Sequence, residues 1–190
     1  MVKGKNEFKP GVVHLEFAAN DVTSFQPTPT TVRKIDRLLS EYGESHQNAT
    51  NKAIHWICVP LIFFSIVGLI ASIPSNIVRT IFGESNPYAN WALVVLILVS
   101  FYYLSLSISL TVGMLLFGAL CLVLINIIAR LDIAPLWLIS IIIFVVAWIG
   151  QFYGHKVEGK KPSFLKDVQF LLVGPAWLMH FVYKRLGIPY

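Results

Sequence analysis

The residues of this chain that are best suited to bind a metal ion are histidines that border its apolar segments. His46 and His55 lie before and at the start of one apolar segment, His155 follows a later one, and His180 lies within the last. Neutral imidazole is a common ligand of divalent transition metals. If the fold brings these side chains together, they predict a metal site.

Spacing places other polar groups beside these histidines. Gln151, His155 and Glu158 stand at i, i+4 and i+7, so a continuous helix presents all three on one face. The carboxylate of Glu158 is therefore a further candidate ligand. His46 and His55 are nine residues apart, and on one straight helix they would point about 180° away from each other. Both rings reach one ion only if the chain bends in the polar stretch between them.

The elements that must position these groups are predicted to lie in a membrane. Of the 190 residues, 56% are hydrophobic and only 13% are charged, a balance unlike that of soluble domains. The formal net charge of +5 comes from Lys and Arg clusters that flank apolar blocks, which indicates membrane orientation rather than nucleic-acid binding. Cys58 and Cys121 fall inside apolar runs and predict neither a disulfide nor a cysteine zinc site. We therefore expect a lipid bilayer as partner and no nucleic acid.

Uncharged apolar stretches predict an all-α, integral membrane bundle of about four transmembrane helices. Roughly 20 apolar residues are needed to cross the hydrocarbon core as a helix. The uncharged run from 91 to 129 is too long for one helix, and Ser, Thr and Gly residues near 109–113 predict a tight turn that divides it. The predicted spans are residues 53–73, 91–109, 112–129 and 135–153.

The two ends of the chain are predicted to lie outside these spans. Residues 1–31 are polar and lack clear periodicity, so we interpret them as an N-terminal tail before a single helical membrane domain at residues 32–190. An amphipathic helix, whose apolar residues recur at helical spacing, opens that domain. The apolar stretch 168–183 is short for a span and contains Gly174 and Pro175, which favours an interfacial or re-entrant helix.

The distribution of basic residues predicts that both termini face the cytoplasm. Seven Lys and Arg residues precede the first span and six follow the fourth, whereas Arg79 and Arg130 stand alone in the connections between spans. An even number of spans then places the first two candidate histidines on the same membrane face as His155. His180 joins them if the last apolar segment folds back to that face.

Two blocks of sequence carry a resemblance to a known family. The first runs from Tyr42 to Pro60 and contains two of the histidines ahead of a Val-Pro pair. The second runs from Trp148 to Pro162 and reads Trp-Ile-Gly-Gln-Phe-Tyr-Gly-His-Lys-Val-Glu-Gly-Lys-Lys-Pro. With the order of spans between them, these blocks resemble the Mpo1-like family of 2-hydroxy fatty acid dioxygenases, from about Val32 to the C-terminus.

The resemblance implies an enzyme dependent on Fe(2+) that uses dioxygen to shorten a 2-hydroxy fatty acid by one carbon, the reaction of fatty acid α-oxidation. It implies His46, His55 and His155 as catalytic metal ligands. To these the spacing adds Glu158, and His180 stands where we expect relatives to carry an acidic residue, so it is a candidate substitute ligand. The implied location is the endoplasmic reticulum in a eukaryote or the inner membrane in a bacterium.

Two other interpretations use the same residues. Histidines at the ends of apolar helices also serve helix packing, as in a non-enzymatic membrane protein such as a small transporter or assembly factor. No predicted span carries a charged residue at its middle, where a coupled transporter commonly needs one, and this favours the enzyme. A different lipid-modifying metalloenzyme, such as a hydroxylase, would share the ligands and differ in its product.

Overall fold

Helices account for all the regular secondary structure in the part of the chain that the computed structural model describes, residues 33–159 and 170–189. In chain order they are α1 (Lys34–Gly43), α2 (Ala49–Ala71), α3 (Asn76–Phe82), α4 (Trp91–Leu104), α5 (Ile108–Leu131), α6 (Leu136–Glu158) and α7 (Val173–Leu186). The all-α membrane bundle predicted from the sequence is confirmed. The predicted tail, residues 1–31, lies outside the described residues.

Three of these helices, α2, α5 and α6, are long and apolar enough to cross a membrane. At 23 or 24 residues each, they measure about 35 Å, slightly more than the roughly 30 Å of hydrocarbon. Helix α4 is apolar but has 14 residues, because the turn after it comes at residues 105–107 rather than near 109–113. Ser107 sets this boundary, since its hydroxyl accepts a hydrogen bond from the backbone N–H of Leu110 (3.3 Å) and caps α5.

The bend that the first two candidate histidines require lies between α1 and α2. Residues 44–48 connect the two helices. The Asn48 side chain ends the connection, because its oxygen accepts hydrogen bonds from the backbone N–H groups of Thr50 (2.8 Å) and Asn51 (3.3 Å). Such a cap satisfies donors that the first turn of a helix leaves open. His46 thus lies in the connection and not on α2, so the nine-residue helical spacing does not turn it away from His55.

Helices α2 and α6 pack against each other in antiparallel directions, and small residues allow a close approach. A methyl group added to Gly154 would lie 2.5 Å from Oδ1 of Asn51, and one added to Gly150 would lie 2.6 Å from Sγ of Cys58. At the other end of the pair, Gly68 meets the side of α6 in the same way. Small residues are typical of such contacts between membrane helices. The packing brings the start of α2 beside the end of α6.

Helix α7 packs onto α1, α2 and α5. Gly174 and Pro175, which in the sequence favoured an interfacial or re-entrant helix, lie in its first turn, where a proline costs no intrahelical hydrogen bond. The hydroxyl of Tyr183 donates a hydrogen bond to the carbonyl oxygen of Ser109 (2.6 Å) and joins α7 to α5. The last apolar stretch is therefore a packed helix of 14 residues. Whether it lies at the interface or re-enters the bilayer stays a prediction.

Candidate metal centre

Three buried imidazoles meet where the start of α2 lies beside the end of α6. One nitrogen from each of His46, His55 and His155 lies within 4.8 Å of the other two. The three residues are 2%, 0% and 4% exposed. The ring of His55 lies centrally, with its centroid 4.3 Å from that of His46 and 5.1 Å from that of His155. Within the described residues, no other group of three His, Cys, Asp or Glu side chains has metal-binding spacing.

Backbone carbonyl groups fix the tautomers of two of these rings. Nδ1 of His46 donates a hydrogen bond to the carbonyl oxygen of Tyr42 (2.6 Å), and Nδ1 of His55 donates one to that of Asn51 (2.9 Å). Because a carbonyl oxygen only accepts, each neutral ring carries its hydrogen on Nδ1 and its lone pair on Nε2. The Nε2 atoms of all three histidines are buried. Metal-binding histidines are commonly oriented in this way, so the donor set fits a divalent transition-metal ion.

Aromatic side chains from two helices pack around His46. The ring of Tyr42 stacks on the imidazole, with centroids 4.2 Å apart and planes inclined by 15°. Trp177 of α7 lies 5.4 Å from the imidazole and 5.3 Å from the tyrosine ring. Sequence reasoning gave Trp177 no role, because the packing of α7 against α1 has no signal in local periodicity. The sequence signal for Trp177 was only the presence of a tryptophan in the last apolar stretch, whose structure the sequence left open.

Glu158 lies close to the three imidazoles but is not part of their group. Its carboxylate accepts hydrogen bonds from the backbone N–H groups of Gln47 (2.8 Å) and Asn48 (2.9 Å) and from Nδ2 of Asn51 (2.9 Å). A negative charge is also favourable beside the N-terminus of a helix, where N–H groups point outward. The structure thus places this predicted ligand where it holds the connection before α2 against the end of α6.

His180 does not join the imidazole group either. It is half-buried on α7, with its ring 5.2 Å from that of Phe181. Burial, together with the nearby positive charge of Lys184, lowers the pKa of His180 below its ordinary value. The structure therefore brings together three of the five predicted ligands and leaves His180 and Glu158 outside. That the three bind a metal stays a prediction.

A small pocket lies beside Tyr42, the residue whose ring stacks on His46, and none of the three histidines lines it. It is lined by Tyr42, Val59, Ile62, Trp148, Gln151, Phe170, Leu171 and Gly174. Gln151 is one helical turn from His155 and only 6% exposed. Its amide is a polar group in a mainly apolar pocket wall. Burying an amide is unfavourable unless a hydrogen-bonding partner satisfies it. With an interior of about 20 Å³, the pocket holds one water-sized group, so a larger head group requires its walls to move.

Comparison with known proteins identifies the family. Residues 32–186 match the family described as 2-hydroxy-palmitic acid dioxygenase Mpo1-like. This region contains all seven described helices and the three imidazoles. Neither the curated proteins nor the solved structures give a match. The chain belongs to the Mpo1-like family, as its two sequence blocks predicted, and the family's name indicates a dioxygenase of 2-hydroxy fatty acids.

Proposed function

We propose that this protein is an iron(II)-dependent dioxygenase that shortens 2-hydroxy fatty acids by one carbon. The observation that carries the proposal is the buried group of His46, His55 and His155, whose nitrogens lie within 4.8 Å of one another. Imidazole ligands suit iron, and three of them leave coordination positions for dioxygen and substrate. The family description supplies the class of substrate.

The three imidazoles would hold the iron. Because they are neutral, the charge of the bound ion affects which substrate the site favours. When bound, iron(II) supplies the one-electron redox chemistry that allows dioxygen to react with an organic molecule. Neutral imidazoles do not compensate the charge of a divalent ion, and the carboxylate of Glu158 is occupied by backbone N–H groups and Asn51. A site with this residual positive charge favours an anionic ligand, such as the carboxylate of a fatty acid.

The overall reaction balances without a second reductant. Breaking the bond between C1 and C2 converts the alcohol carbon C2 into the carboxyl group of the shorter acid. C1 leaves as carbon dioxide, and the remaining hydrogen atoms leave as water. This is a four-electron oxidation, and one molecule of dioxygen accepts all four electrons. We therefore expect turnover without a nicotinamide cofactor or a 2-oxo acid.

The pocket beside the imidazoles is where we place the substrate's polar end, and its walls must move apart to admit a group larger than one water. The amide of Gln151 donates and accepts hydrogen bonds, so it suits both the carboxylate and the 2-hydroxyl group. Val59, Ile62 and Trp148 supply apolar contacts for the first carbons of the chain. The role of these residues is to orient the acid and to keep water away from the reacting carbons.

The experiment is turnover of 2-hydroxypalmitic acid by the purified full chain in lipid nanodiscs, after metal removal and anaerobic loading with iron(II). We expect one dioxygen consumed for each acid that is shortened by one carbon, measured by an oxygen electrode and mass spectrometry. His55→Ala should be inactive, and His180→Ala, a histidine outside the group, should be active. Full turnover by metal-free protein or by His55→Ala would contradict the proposal, and a hydroxylated product of unchanged length would indicate a hydroxylase.

A further inference from the structure

A second and larger cavity lies at the opposite end of the helices from the imidazoles. Its volume of about 420 Å³ is in the range of small-molecule sites. The ends of α2 and α5, the start of α6 and the connection that contains α3 surround it. Ala71, which lines it, is sixteen residues beyond His55 on α2, or about 24 Å along the helix. The cavity is therefore separate from the candidate metal centre.

Two arginines give this cavity its charge. Arg79 of α3 and Arg130 of α5 both line it, and no Asp or Glu is among its lining residues. They are also the only Lys or Arg residues between positions 53 and 155 of the sequence. Two different helices, α3 and α5, thus bring both basic residues of the middle of the chain to one cavity. A guanidinium group offers a planar fork of donors that matches the oxygen atoms of a phosphate.

Hydrogen bonds fix two asparagines that line the cavity. Nδ2 of Asn126 donates to the carbonyl oxygen of Pro87 (3.3 Å), which ties α5 to the connection before α4. The Asn90 side chain caps α4 by accepting from the backbone N–H groups of Ala92 and Leu93. Both side chains are thus held in place by bonds within the protein, and the two arginines are the charged residues that line the cavity.

We infer that this cavity binds a phosphate group, and that the group belongs to an anionic phospholipid. The cavity also contains apolar side chains, such as Leu122, Ile125 and Leu136. A free phosphate does not gain from apolar contacts, whereas the glycerol and the first acyl carbons of a lipid pack against such side chains. Ile73, which also lines the cavity, is 49% exposed and adds apolar surface that a lipid chain can contact.

The test compares the full chain in nanodiscs of phosphatidylcholine with nanodiscs that also contain phosphatidylglycerol. Native mass spectrometry measures the phosphatidylglycerol retained after release from the nanodisc, and thermal unfolding measures its stabilising effect. The matched variants are Arg79→Gln with Arg130→Gln, and Lys184→Gln with Arg185→Gln, which remove the same charge from exposed positions on α7. We expect phosphatidylglycerol retention to fall at least about tenfold in the arginine pair and to stay unchanged in the α7 pair.

A further arm adds inorganic phosphate to the chain in phosphatidylcholine alone. Stabilisation by phosphate that is lost in the Arg79→Gln, Arg130→Gln pair, together with equal phosphatidylglycerol retention by wild type and that pair, would keep the phosphate site but overturn the lipid as its source. Equal retention without such stabilisation by phosphate, or an equal loss of retention in the α7 pair, would overturn the site itself. Circular dichroism and a single elution peak establish that each pair is folded, so that a loss is not misattributed to unfolding.

Discussion

The two ends of the helical bundle differ in how they hold polar groups. At one end, three imidazoles that are at most 4% exposed are enclosed by tightly packed helices, and backbone carbonyls orient two of them, His46 and His55. At the other, Arg79 and Arg130 are exposed at the edge of a cavity of about 420 Å³. Burying several polar rings costs free energy, and binding of a ligand that needs these rings in fixed positions can offset this cost. Under our two proposals, the closed end would hold an ion and the open end a ligand with flexible parts.

The largest effect should come from removing an imidazole at the closed end. We expect His46→Ala, His55→Ala or His155→Ala to lose iron(II) binding by far more than the roughly 10- to 100-fold that a supporting residue contributes. Metal analysis of the purified variants measures this directly. His180→Ala, the control from α7, should keep the wild-type iron content. Iron retained by all three variants would show that the group does not bind the ion.

The next effect concerns the close contact of α6 with α2. In Gly154→Ala the added methyl would lie 2.5 Å from Oδ1 of Asn51 and 3.4 Å from Cε1 of His55, so the buried Asn51 side chain must shift from its bond to Glu158 or the helices must separate. We expect a loss of about 1–3 kcal/mol in the free energy of unfolding and weaker iron binding, measured by thermal unfolding and metal titration. Gly118→Ala is the matched control, because its methyl meets the movable end of Leu96 at 3.2 Å. If both variants behaved alike, close packing at the site would not matter.

Glu158→Gln tests whether Glu158 is a metal ligand or only supports the positions of the three histidines. The change replaces a carboxylate that accepts from Gln47, Asn48 and Asn51 by an amide with a single acceptor oxygen. We expect iron affinity to fall about 10- to 100-fold while one iron per chain still binds at saturation, as measured by anaerobic titration. Glu84→Gln, an exposed acid elsewhere in the chain, should have no effect. Complete loss of iron from Glu158→Gln would instead restore Glu158 as a ligand.

The smallest effect is expected for Gln151→Leu, in the pocket beside the imidazoles. Removing the amide should raise KM for 2-hydroxypalmitic acid about tenfold, since one hydrogen bond to a charged group is lost, and should leave iron affinity unchanged. Steady-state kinetics of the iron-loaded protein measure the change in KM, with Tyr153→Phe, an exposed position two residues further along α6, as control. A wild-type KM in Gln151→Leu would remove the amide from substrate binding.

Local periodicity accounts for what the sequence predicted well. The uncharged runs fix the long helices, and the spacing of Gln151, His155 and Glu158 fixes which face of α6 carries polar groups. The turn between α4 and α5 was placed several residues too late, because Ser and Thr occur throughout that region and Ser107 alone provides the cap. Apolar content does not distinguish between such candidates.

Tertiary geometry accounts for what the sequence did not predict. Glu158 and His155 share a helix face, yet only the position of α2 decides that the carboxylate binds backbone N–H groups while the imidazole enters the group. Likewise, His180 and Trp177 are one turn apart on α7, and the packing of α7 against α1 puts the tryptophan beside His46. Spacing defines a face of a helix, but the neighbouring helix decides what that face contacts.

The most direct test of a metal centre built from these imidazoles is X-ray absorption spectroscopy at the iron edge of the loaded protein. Imidazole rings give a distinct multiple-scattering pattern, so their number can be counted. We expect three imidazole ligands in the wild type and in His180→Ala. A spectrum with no imidazole scattering, or one that persists unchanged when His46, His55 and His155 are all replaced by alanine, would contradict the account.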